Sequence, residues 1–300
     1  GLVYKGDTSS DEITAHFMNM LFSHMFLQDV DPDLDELIKQ SAKNLMSHIV
    51  DNGYQLMECN GKPTTWAKWN LDYFNSFMGW TDACLNSAEL LAYLKVTEYI
   101  TGEQRWTDEY QKLIDMGYAD LTLKHYDRAY QTSLLEGGDI ATELMYGDNM
   151  LATCSYWLLI ALEENEELKE LYKNGYRGWN GTFRREHNPA YDIPFMLSCP
   201  EDDIDTDALS DWFRRVGVTR LVTSVGLSSR YDVPCRYRFG GEKEASWRLA
   251  PDEFPISKYD RNPYAYKDHE GGRDQYQVES AYIYTFAYWL GRYYGIIEEE

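Results

Sequence analysis

A chain of 300 residues, 44% apolar, can bury a sizeable core, and it contains no run of about 18 uncharged apolar residues able to cross a bilayer. Fifty acidic against 28 basic residues leave a net charge of −22, which repels phosphate backbones and anionic lipid and argues against nucleic acid and membrane as partners. The 25 Tyr and 9 Trp serve helix packing in the main, and those left over offer faces for flat ligands such as sugar rings.

Residues 1–10 form a polar lead-in that ends in a helix cap: Ser9 or Ser10, then Asp11 and Glu12 at the positive end of the helix dipole. The spacing of Ile13, Phe17, Met20, Leu21, His24 and Leu27 predicts a helix over 11–27, and its other positions are also apolar, as in a helix buried all round. A turn at Asp29-Val30-Asp31-Pro32 leads to a return helix over 34–50 with one wet face. The same object recurs twice. A helix over 82–100, the turn Thr101-Gly102-Glu103 and a return over 106–121 form the second hairpin; 148–162, Glu164-Asn165 and 168–172 form the third. The openings at Asp11, Asp82 and Asp148 recur about every 70 residues, and hairpins that repeat in this way must stack to bury their apolar stripes.

Segments 52–79, 125–147 and 174–190 are too long for simple connections and carry Trp, Tyr, Gly and His, so they read as cavity-lining loops. Residues 188–197 and 206–216 read as a short fourth hairpin, and 274–297 as a last inner helix. The expected fold is therefore all-α: an (α/α) toroid of helical hairpins in one domain over 1–300, with an irregular loop-rich segment at about 217–273. Its inner helices open toward one face. About nine helices are legible where a closed six-hairpin ring has twelve, so the ring is either incomplete or completed by loops.

Cys59, Cys84, Cys154, Cys199 and Cys235 form no C-x-x-C pair and join no His cluster, so neither a metal nor another cofactor is expected. Cys84 and Cys154 fall on apolar helix faces and read as buried free thiols. The chain begins at Gly1, already inside a motif, and reads as trimmed, which leaves the compartment unassigned. Asn180-Gly181-Thr182 is a glycosylation sequon by pattern. There is no G-x-S-x-G elbow, P-loop, dinucleotide fingerprint or H-E-x-x-H, which disfavours serine hydrolase, NTPase, dehydrogenase and zincin chemistry.

The acids concentrate at the helix openings. Asp7, Asp11 and Glu12 share nine residues with three hydroxyls and Lys5; capping and a solvated turn explain any one of them, but not the cluster. His16 lies one turn beyond Glu12 on the same helix face, as a core histidine or as a ligand contact. Thr64, Thr65, Trp66, Trp69 and Asn70 combine indole planes with short polar groups, a mixture suited to a sugar or to a loop pinned by buried tryptophan. Trp80-Thr81-Asp82 and Tyr146-Gly147-Asp148 are matching junctions, in which the helix dipole favours the ionised carboxylate that a base or nucleophile needs. Asp139 and Glu143 are candidate neighbours of Asp148, while His187 and Arg273 bring further polar groups where the loops of a ring would converge.

Leu90 to Glu103, followed by Trp106 and Tyr110, resembles the inner-helix, Thr-Gly turn, outer-helix unit of six-hairpin (α/α) toroid carbohydrate enzymes, which include unsaturated glucuronyl hydrolases. Lys5 to Glu12 and Gly61 to Trp66 look like blocks in bacterial members of that group, and the architectural resemblance covers about 9–175 and 274–297. It implies a bacterial protein with a pair of Asp or Glu in a central cavity. The expected function is a glycoside hydrolase acting on an oligosaccharide or a uronic-acid-containing glycan by carboxylate acid/base catalysis. Asp148 would pair with Asp7, Asp11 or Glu12, with Asp82 as third candidate; Trp66, Trp69 and Trp80 would stack on rings, and His16, His187, Arg273 and Thr64 would fix hydroxyls or a uronate carboxylate. Two other classes remain open: a glycan-binding toroid without turnover, and a structural toroid that binds protein through an exposed apolar patch.

Overall fold

The computed structural model describes residues 6–124, 146–216, 234–237, 243–245 and 282–298, with the single positions 232 and 250. Eleven α-helices and two short antiparallel ribbons make up the regular structure among the described residues, so the chain is mainly helical. It divides into two compact units, one of Gly1–Arg128 and Cys154–Tyr176, the other of Ala129–Thr153 and Arg177–Glu300.

The first unit begins with α1 (Ser10–Leu27) and α2 (Pro32–Asp51). Glu12 reaches back to accept from the Ser9 backbone N–H at 2.9 Å and its hydroxyl at 2.5 Å, which fixes the start of α1. Asp31 caps α2 by accepting from the Leu34 N–H at 3.1 Å, and Pro32 fills the first helical position. A ribbon of β1 (Gln55–Met57) and β2 (Pro63–Lys68) and the short α3 (Leu71–Phe74) lead to the second hairpin, α4 (Ala83–Thr101) and α5 (Gln104–Asp115). Gly102 closes α4 in the left-handed region at φ 65°, the conformation that the Thr-Gly turn requires. The expected continuous return over 106–121 is broken: Gly117, at φ 88°, ends α5 and starts the separate α6 (Tyr118–Leu121).

The first two hairpins stack in register. Thr14 meets Glu89, Phe17 stacks on Tyr93 and His24 packs edge-on to Tyr99, so α1 and α4 run parallel. Both inner helices therefore open at the same end. Lys43 pairs with Glu103 and Asp51 with Arg105, which ties α2 to the start of α5. From Ala83 to Leu94 every residue of α4 is buried, the pattern of a helix enclosed on all sides. The expectation of an all-round buried α1 is corrected: Ala15, His16 and Asn19 are exposed and Phe26 is half exposed, so α1 has an open face.

The third hairpin consists of α7 (Tyr146–Leu162) and α8 (Glu166–Phe183), whose residues Cys154 to Tyr176 belong to the first unit. Tyr110 donates to the buried Glu163, and its hydroxyl lies 2.6 Å from that of Tyr172, a closed polar network between the hairpins. Burial raises the Tyr110 and Tyr172 hydroxyl pKa values far above the ordinary tyrosine range, so both stay neutral donors. The Tyr156 hydroxyl donates to the Thr122 carbonyl at 2.6 Å, beside Gly175. The expected loop over 174–190 is instead helical through Phe183, followed by a 3-10 turn over Arg184–Glu186.

In the second unit α9 (Pro189–Ser198) packs on α10 (Thr206–Arg215) and on α11 (Tyr282–Tyr293). The first two match the expected short fourth hairpin, and α11 falls inside the expected last helix. β3 (Cys235–Tyr237) and β4 (Lys243–Ala245) pair within the segment read as irregular. Cys84, Cys154 and Cys199 are buried free thiols, and burial pushes the Cys154 thiol up to about 12.

Candidate functional site

At the opening end of α1 and α4, β2 joins the two helices. Asp7, in the left-handed region at φ 57°, accepts from the Thr65 N–H at 2.7 Å and hydroxyl at 2.9 Å, and its own N–H donates to Glu58. At the far end of the strand the Lys68 carbonyl accepts from the Asn86 side chain at 2.8 Å, which anchors β2 to the first turn of α4. Asp82 occupies the cap position of α4 and its carbonyl accepts from the Asn86 N–H at 2.9 Å, but its side chain does not cap the helix and accepts from the Tyr73 hydroxyl at 2.6 Å. The Lys68 ammonium sits 5.6 Å above the Tyr73 ring. Around these groups large side chains face solvent: Trp66 is 54% exposed, Phe77 85%, Met78 66% and Trp80 36%. Apolar side chains are also exposed at the tip of the first hairpin, at Val30 and Leu37, a feature that a protein-binding toroid would have.

The structure sorts the residues expected at this end. Asp7 and Glu12 are committed to holding the lead-in and the cap, and Asp11 and Asp82 stand half-buried at the openings. His16 is exposed. Trp69 is corrected from ring platform to core: it is fully buried, edge-on to Tyr93, and donates to Glu89 at 2.8 Å. Thr64 is likewise a core residue, 2% exposed, with its hydroxyl 3.3 Å from the Ala67 N–H.

Glu89 was not legible as a functional candidate. It is fully buried on α4, with Trp69 and, at 3.5 Å, Thr14 as donors. The Thr14 hydroxyl lies 2.6 Å from that of Tyr93, whose pKa is raised by burial and by the charges of Glu89 and Asp11. The available signal was an acid inside the enclosed stretch Ala88-Glu89-Leu90, where charge is tolerated only with partners.

In the second unit Asp148 lies half-buried in the first turn of α7, followed by the fully buried Asn149 and Thr153. His187, at φ 47°, lines a cleft of about 420 Å³ with Arg184, Asp192 and Asp203 to Asp207. Asn188 caps α9 by accepting from the Ala190 N–H at 3.1 Å, and Asp205 caps α10 from Ala208 at 2.9 Å. Asn180 is 1% exposed, so the folded chain does not present the sequon for modification. Asp139, Glu143 and Arg273 lie outside the described residues. Among those residues, no group of three His, Cys, Asp or Glu could hold a metal ion.

Comparison with known protein families, curated proteins and solved structures gives no significant match.

Proposed function

We propose that this chain is a glycoside hydrolase built on an (α/α) toroid of helical hairpins, acting on an oligosaccharide at the opening end of its inner helices. The observation that carries the reading is the meeting, at the parallel openings of α1 and α4, of half-buried carboxyl groups with exposed aromatic faces. Sugar rings stack on indole faces through their C–H sides, and Trp66 and Trp80 have such faces free of the core. Glycoside cleavage needs one carboxylic acid to protonate the leaving oxygen and one carboxylate to activate water or attack the anomeric carbon. Water is added across the C–O bond.

Asp7 and Glu12 serve the scaffold in this reading, which leaves Asp11 and Asp82 at the openings of the first unit, with Asp148 of the second unit as a separate candidate. Asp82 stands at the start of α4 and accepts from the Tyr73 hydroxyl, which holds its carboxyl group in place at the opening. The test is hydrolysis of a glycan panel by the native chain beside Asp148→Asn, Asp82→Asn and Asp11→Asn. Loss of about 100-fold or more in kcat in two of the three, with glycan binding kept, identifies the pair. Full activity in all three variants would remove the hydrolase reading. The exposed aromatic set also supports a second reading, glycan binding without turnover, which the same panel separates as binding with no product.

A further inference from the structure

α11 is buried along one side, through Ile283, Ala287, Leu290 and Gly291, and packs on α9 of the same compact unit. The seat is close: a Cβ at Gly291 would lie 3.1 Å from the Ile193 side chain of α9. The other side of α11 carries Tyr282, Phe286, Trp289 and Tyr293 at steps of four, three and four residues, which sets them in one stripe about 16 Å long. Tyr282 is 37% exposed, Trp289 66% and Tyr293 53%, so the stripe meets solvent in the folded chain. Neighbouring rings hold it in place. Tyr282 stacks on Phe286 at 5.6 Å, and Trp289 stands edge-on at 5.2 Å to Tyr288, which stacks in turn on Tyr284. Phe213 of α10 packs edge-on against both of those tyrosines.

Charge, side-chain type and area together say what fits this face. From Tyr282 to Tyr294 the sequence contains no Asp, Glu or Lys, and the guanidinium of Arg292 donates to the Ile297 carbonyl at 3.4 Å. In a chain of net charge −22 this is a neutral strip, suited to a neutral ligand. A partner helix would pack against branched aliphatic knobs, which the stripe lacks. A second copy would need more surface: a stable interface covers about 800 Å² per partner, whereas an aromatic side chain offers about 150–250 Å² in full, and these are a third to two-thirds open. We infer that the outer face of α11 is a carbohydrate-binding surface, which holds an extended neutral polysaccharide with successive sugar rings along Tyr282, Phe286, Trp289 and Tyr293. A pyranose ring has C–H bonds on its faces and hydroxyls at its rim, so its faces cover the aromatic planes while the rim stays in water or meets the tyrosine hydroxyls and the indole N–H. The stripe holds no carboxyl group, so it binds without cleaving. This inference stands on the second unit alone and needs neither turnover nor the site proposed in the first.

The experiment uses the full chain. Calorimetry measures binding of cellohexaose, maltohexaose, chitohexaose and mannohexaose, and of the disaccharide of each linkage, to the native protein, Trp289→Ala, Trp289→Phe, Tyr293→Ala and, as a control in the first unit, Trp66→Ala. The native chain should bind at least one hexasaccharide about tenfold or more tighter than its disaccharide, because a disaccharide cannot span the stripe. Trp289→Ala and Tyr293→Ala should each weaken that binding about tenfold, and Trp289→Phe, which keeps a ring, should restore most of it. The affinity should change by less than about twofold between 10 and 200 mM salt, since neither party is charged at the contact. Unchanged binding in both alanine variants would overturn the inference. If Trp66→Ala alone abolishes binding, the sugar lies in the first unit, and the proposed function survives while the α11 surface falls. Absence of binding to every hexasaccharide would also overturn it, as would sedimentation of the native chain as a dimer that Trp289→Ala dissociates, which would show a second copy covering the face.

Discussion

Asp35 is 3% exposed, between the His24 ring nitrogen at 2.6 Å and the Lys39 ammonium at 2.9 Å. Burial acts to raise its carboxyl pKa, but hydrogen bonds and charge from Lys39 and His24 outweigh it, and the result lies below the usual aspartate range. A carboxyl group with a depressed folded pKa contributes stability that is present above the unfolded value of about 3.9 and is lost as pH falls through the folded one. Denaturation of the native chain and of Asp35→Asn from pH 7 to about 2.5 should therefore give the native chain the steeper loss below about pH 4. Parallel curves would show that Asp35 adds nothing to acid sensitivity. The same locality of environment explains what single residues concealed. Trp66 and Trp69 are three apart, which in extended chain sends side chains to opposite faces, and one indole is 54% exposed while the other is fully buried. Read as a loop, the spacing suggested two indoles facing one cavity; the β-ribbon decided otherwise.

The helical hairpin was the most legible element, because enclosed inner helices and amphipathic outer helices differ in sequence over many residues. Apolar period, caps and the Thr-Gly turn agree at α4 and α5, so their boundaries were predictable to within two residues except at the Gly117 break. The length of α8 was not. Gly175, Gly178 and Gly181 read as loop punctuation, yet the helix runs from Glu166 to Phe183. At Gly175 the reason is a close approach: a Cβ there would lie 2.6 Å from the Thr122 carbonyl oxygen and 2.8 Å from the Tyr156 ring. Gly175→Ala gains intrinsic helix propensity of about 1 kcal/mol but must displace backbone, and overpacking of this kind costs about 1–3 kcal/mol. The expected net effect is destabilisation, read as a lower denaturation midpoint with an unchanged slope. A more stable variant would mean that Thr122 yields easily and that the two helical segments are not in tight contact.

At the scale of the whole molecule the net charge of −22 sets the field that a ligand meets before any contact forms. The expectation of a uronic-acid-containing substrate was a matter of resemblance, and the electrostatics of the chain bear on it directly. An anionic glycan approaches against a repulsive potential that salt screens, with a Debye length of about 10 Å at 0.1 M and about 30 Å at 0.01 M. Lys68 of β2 is held over the ring of Tyr73, whose hydroxyl donates to Asp82. For a uronate-terminated oligosaccharide KM should therefore fall about three- to tenfold between 10 and 200 mM salt, while a neutral oligosaccharide of the same length should change by less than about twofold. Binding through surface cations has the opposite sign, weakening as salt rises. If the uronate substrate binds more tightly at low salt, a local cationic cluster overrides the global field; Arg273, expected to meet a substrate carboxylate, is the first residue to replace in that event. If only neutral glycans bind, at a salt-independent KM, the acidic surface serves solubility and takes no part in selecting the ligand.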